Sequence, residues 1–282
     1  MAAPMARNVL PTDGPRENEV LGLIYWSINF IKVVAFCSFF LGVWELVHAF
    51  ALLVARSAVV PLSSLPLSLG FVFIGVETFF IFLFDKRYVS SEEEENLIRA
   101  LFRLGDLWLI FAATAAAAAA PVIPYLIHRF TGLGIPFGLL VALYCVLALG
   151  IVALFGVTFR AQQRFSPPNH PIINEVPSFA RRNIDRVRLI GFFSMGVGAF
   201  LVLLYCFDAL PLAPTEPLEN LFIGIVFLGV GGAITFYWRG VREIHRNPSL
   251  IYFERSLERL NLFWLTASVA FLIATLVAVF VS

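Results

Sequence analysis

Three ionisable residues stand in stretches otherwise suited to hydrocarbon: Glu45 and His48 within Trp-Glu-Leu-Val-His (44–48), and Glu77 within Gly-Val-Glu-Thr-Phe (75–79). Ionisable groups at membrane depth are rare and costly, so each is a functional candidate by default. Glu45 and His48 are three apart and share one face of a helix, and Glu77 on the next antiparallel segment is placed to reach them. Two carboxylates and an imidazole brought together could hold a proton or a cation. The plainer alternative is interhelical hydrogen bonding without chemistry.

Other chemistries lack their residues. Glu-x-x-His is also a di-iron ligand pattern, but that site needs a second copy and two further Glu. The chain carries one copy, and His128, His170 and His245 fall in loops or at membrane edges, so no metal site is expected. Cys37, Cys145 and Cys206 sit singly in apolar runs, without ligand spacing or a disulfide framework. There is no Walker loop, dinucleotide turn, nucleophile elbow or histidine box, and hence no enzyme class or cofactor to assign.

The elements that must position these residues follow from composition. Hydrophobic residues make up 60% of the 282 and charged ones 14%, against about half and a quarter in soluble domains, so the expected solvent is lipid. A bilayer core needs roughly 20 apolar residues per helix. Seven segments meet that length, near 33–55, 67–84, 106–127, 134–159, 188–210, 218–238 and 260–281; the short second and alanine-rich third make six the alternative count. The fold class is therefore an all-α, multi-pass transmembrane bundle. Residues 1–19 mix Arg7 and Arg16 with Asp13, Glu17 and Glu19 and show no cleavage site, which predicts a retained first span.

Positive charge falls on alternate loops. Lys86, Arg87, Arg99 and Arg103 follow the second span, Arg160, Arg164, Arg181, Arg182, Arg186 and Arg188 the fourth, and Arg239, Arg242, Arg246, Arg255 and Arg259 the sixth, whereas the other side offers Arg56 and Arg129. By the positive-inside rule the N-terminus is inside and the C-terminus outside, in a plasma membrane or an organelle inner membrane. Ser90-Ser91-Glu92-Glu93-Glu94 and Asn247-Pro248 predict helix starts on the inner side. Arg99 with Arg103, and Arg255 with Arg259, are four apart, so each pair is expected to present one face to anionic lipid headgroups or to a partner protein. No basic groove suggests nucleic acid.

The chain also resembles itself. Arg99-Ala-Leu-Phe-Arg-Leu, followed by Trp108-Leu109, matches Arg255-Ser-Leu-Glu-Arg-Leu, followed by Trp264-Leu265, an offset of 255 − 99 = 156. Asn18-Glu19-Val20 falls on Asn174-Glu175-Val176 at the same offset, as do Ser38 on Ser194 and Gly42 on Gly198, while Val72–Val76 matches Val226–Val230 at 154. At these offsets Glu45, His48 and Glu77 fall on Leu201, Leu204 and Gly231. The organisation read from this is a polar segment (1–17), a three-helix repeat (18–130), a linking helix (131–165) and a second repeat (166–282). An odd linker returns the second triplet to the orientation of the first, giving a parallel 3+1+3 repeat of the kind used by some transporters. The function this predicts is a small permease or channel, coupled to protons or cations through one mid-membrane polar site. The alternative is a non-catalytic accessory subunit of a larger membrane complex or a homo-oligomer.

Overall fold

The computed structural model describes residues 15–54, 60–91, 93–120, 131, 136–163, 172–206, 217–247 and 249–281. Among these the chain forms seven α-helices and no strand: α1 Pro15–Val54, α2 Val60–Ser91, α3 Glu94–Ala119, α4 Phe137–Gln163, α5 Ile172–Cys206, α6 Pro217–Arg246 and α7 Leu250–Val281. Helices satisfy every backbone N–H and C=O internally, which hydrocarbon demands. Each of the seven contains a stretch long and apolar enough to cross a bilayer, which makes the chain an integral membrane protein. Arg7, Asp13, Arg56, His128, Arg129, the 166–171 segment with His170, and Asp208 lie outside the described residues.

The first and third spans start well before the expected positions. The first runs from Val20 to Ala51 rather than from 33, because Lys32 stays on the exposed side of α1 and does not interrupt the apolar inner face. The third begins at Glu95 rather than 106, because its early charges find partners. The two expected helix starts also shift. Ser90 and Ser91 donate their hydroxyls to the Arg87 carbonyl, both at 2.9 Å, and so finish α2 instead of capping α3. Glu93 precedes α3 without a side-chain cap, its carboxylate accepting from Asn96 Nδ2 at 3.1 Å. At the turn before α7 the helix starts at Leu250, where the Ser249 carbonyl accepts from Phe253 N, so Asn247 is not the cap.

Close approach sets the helix register. A Cβ on Gly42 would lie 2.6 Å from Val72 N and 2.7 Å from Ser68 O, and one on Gly75 would lie 2.7 Å from Phe39 N, so no side chain fits at either point of α1–α2 contact. On α5–α6, a Cβ on Gly198 would meet Leu228 N at 2.5 Å and Gly224 O at 2.6 Å, and one on Gly231 would meet Met195 N at 2.7 Å. Small residues of this kind let membrane helices touch backbone to backbone.

Beyond these pairs, α2 packs along α3 and α6 along α7. Helix α1 also packs on α7, and α3 on α5, so the first three helices and the last three meet along two interfaces. At the junction Trp108 of α3 is fully buried, its ring 4.9 Å from Phe263 of α7 and 5.9 Å from Tyr237 of α6. Trp264 of α7 is buried to the same degree. Helix α4 lies against α2 and α3, where Phe155 stacks on Phe73 at 4.3 Å.

Candidate functional site

Glu77 lies near the middle of the second span, on the face of α2 turned to α3, and is completely buried. Arg103, one of the buried polar residues of α3, donates from Nη1 to Glu77 Oε2 at 2.8 Å. Its guanidinium stands 4.1 Å from the Phe80 ring centroid and 5.7 Å from that of Phe84. The charge is thus held on one side by a carboxylate and on another by aromatic faces, an arrangement strengthened by desolvation. Glu77 Oε1 and Arg103 Nε remain buried without hydrogen-bond partners among the described residues. Asp106, one turn further along α3, places a second negative charge within range of Glu77. It sits well inside the third span rather than at a membrane edge, because that span begins at Glu95.

Glu45 and His48 do not join this pair. The glycine contacts set Gly42 level with 68–72 and Phe39 level with Gly75, which puts Glu77 level with residues 35–37 of α1. Glu45 is 8 to 10 residues further along, about 12–15 Å at 1.5 Å per residue. A span over 33–55 places Glu45 at mid-depth; with the span running from Val20 to Ala51, it belongs to the last third. Glu45 is half-buried and makes interactions of its own. His48 is exposed on the outside of the bundle and forms no hydrogen bond or ion pair with the described residues.

The basic candidates divide similarly. Arg103 is turned inward by Glu77, so Arg99 and Arg103 do not offer one outer face; Arg99 is half-exposed and pairs with Glu95 on its own helix. Arg259 is half-buried, donates to Glu243 Oε1 at 3.1 Å and lies 5.3 Å from the Phe236 centroid. Arg255 is exposed beside Tyr252. Arg188 and Arg242, both exposed, flank the Trp238 ring at 5.7 and 5.5 Å.

The structure adds a second polar location. Asp85 of α2, Ser27 of α1 and Asn261 of α7 line a cavity of about 20 Å³ whose other walls are apolar and include Ile81, Leu104 and Trp264. No group of three metal-ligating His, Cys, Asp or Glu residues occurs among the described residues. No protein family, curated relative or solved structure matches this chain.

Proposed function

We propose that the chain is a small permease in which two like three-helix bodies, α1–α3 and α5–α7, move against one another around a polar site held by Glu77. The observation that carries this is the Glu77–Arg103 pair, a charge pair enclosed at mid-depth with one carboxylate oxygen left over. Buried ion pairs contribute little to stability relative to apolar packing, and charges inside spans more often mark ion or substrate pathways. Arg103 supplies a counter-charge that a proton or small cation could displace at Glu77. Half-buried Glu45, further along α1, would then belong to the approach to that site, and His48, on the outside of the bundle, to neither.

The two-body reading is supported by packing. Gly42 on Val72 and Ser68 corresponds to Gly198 on Leu228 and Gly224, and Gly75 on Phe39 to Gly231 on Met195, all at an offset of 156. Trp108 and Trp264, and Ser38 and Ser194, are buried pairs at the same offset. The packing favours 156 for the second helix as well, in place of 154, so Glu77 corresponds to Ala233. The interfaces α1–α7 and α3–α5 then exchange under a pseudo-twofold axis along the membrane normal, as expected of a parallel repeat. Positive charge after α2, α4 and α6 supports an inside N-terminus. Exposed Arg255, together with Arg188 and Arg242, is suited to anionic headgroups.

One observation favours a second reading, an accessory subunit of a larger complex: the junction of the two bodies is filled by Trp108 against Tyr237 and Phe263. Flux in reconstituted vesicles separates the two. A permease gives cation- or proton-linked flux that Glu77→Gln abolishes while the protein stays folded. Absence of flux for every ion and solute tried, with other subunits co-purifying in fixed ratio, favours the accessory subunit.

A further inference from the structure

The cavity beside Asp85 is lined by three polar side chains, each more than nine-tenths buried: Asp85, Ser27 and Asn261. The Ser27 donor is committed, and so is one of the two N–H donors of Asn261. The Ser27 hydroxyl donates to the Ile24 carbonyl at 2.8 Å, and Asn261 Nδ2 donates to the Leu23 carbonyl at 2.9 Å. What remains is one N–H of Asn261 and a larger share of acceptor oxygen: the Ser27 Oγ lone pairs, Asn261 Oδ1 and the Asp85 carboxylate, which forms no hydrogen bond or ion pair with the described residues. A buried carboxylate without a partner is strongly unfavourable. A buried carboxylate with two further acceptor oxygens beside it suits a ligand that brings positive charge.

We propose that this cavity is a binding site for one sodium-sized monovalent cation, coordinated by Asp85, Ser27 and Asn261. Three features select that class. The donors are all hard oxygens, without the imidazole or thiolate that transition metals favour. One carboxylate neutralises one unit of charge, whereas a divalent ion would leave a net positive charge among Ile24, Leu101 and Leu257. The volume, about 20 Å³, suits a body the size of a single water. Asn261 comes from α7 and the other two ligands from α1 and α2, so the ion would bridge the two three-helix bodies. Its occupancy would bias their relative position, as expected of a coupling ion.

The test uses the full chain in detergent and measures binding without flux, so its outcome is independent of whether the protein transports anything. Thermal unfolding is followed in sodium, potassium and choline chloride at equal ionic strength and fixed pH. A site with a dissociation constant of about 1 mM should raise Tm by about 5 °C in 100 mM sodium relative to choline, saturably and with one ²²Na⁺ bound per chain. Asp85→Asn should remove both the shift and the bound ion. Ser27→Ala and Asn261→Ala should each weaken sodium affinity severalfold, and they carry the test if Asp85→Asn does not fold. Equal Tm in sodium and choline overturns the proposal, as does an equal response to every salt. A Tm that ignores sodium but follows pH in the parent and not in Asp85→Asn also overturns it, identifying a protonated carboxyl instead.

Discussion

Arg103 donates to Glu77 across the α2–α3 contact at 2.8 Å, with the carboxylate fully buried and the guanidinium nearly so. Each charge therefore depends on the other for solvation. Arg103→Ala or Glu77→Leu should destabilise the protein by about 3–5 kcal/mol, because each strands a buried charge. The double variant Glu77→Leu/Arg103→Met should recover most of that loss, read as a non-additive cycle in denaturant unfolding. If the pair serves transport, flux will not return with stability.

The glycine contacts give a local test of register. Gly42→Ala and Gly198→Ala each force apart two backbones now separated by less than a side chain, at a cost of about 1–3 kcal/mol. Gly22→Ala and Gly150→Ala place a methyl in open space, and each should be neutral or stabilising by up to about 1 kcal/mol. Unfolding midpoints of the four variants check this directly, and equal effects at all four would contradict the packing.

Trp108 and Trp264 are both fully enclosed. If they are equivalent residues of two like bodies, Trp108→Ala and Trp264→Ala should destabilise by similar amounts, about 3–5 kcal/mol each. A large loss from one and none from the other would count against equivalence.

Arg188 and Arg242, both exposed, lie beside the half-buried Trp238 ring, at 5.7 and 5.5 Å from its centroid. Changing either to Gln should reduce retention of an anionic lipid relative to a zwitterionic one by roughly fivefold, on the basis of about 1 kcal/mol per basic residue. Native mass spectrometry of the two lipids at equal concentration measures the ratio.

The seven spans were legible because length and apolarity alone determine what crosses a bilayer. Glu77 was legible as an ionisable residue amid Phe and Val. Its partner was not, because Arg103 read as the end of a loop once the third span was started at 106, and pairing between helices leaves no local pattern. A usable signal was present: Glu77 and Arg103 stand 15 and 11 residues either side of position 92, at comparable distances from one turn. Asp85 was hidden by Lys86 and Arg87, which make the end of α2 look solvated, although it is buried and lines one cavity with Ser27 and Asn261. Spacing puts Glu45 and His48 on one helix face but carries no register between helices, and the register set by Gly42 and Gly75 separates them from Glu77.

The claim that two three-helix bodies cross the membrane in the same direction is tested most directly by side-specific labelling. With Cys37, Cys145 and Cys206 replaced, single cysteines would be introduced at Ser91, Thr215 and Ser249 and exposed to an impermeant maleimide in sealed, oriented vesicles. Two parallel bodies joined by one linking span predict that positions 91 and 249 react only from the inner side and position 215 only from the outer side. Reaction of 91 and 249 from opposite sides, or of 91 and 215 from the same side, would contradict it.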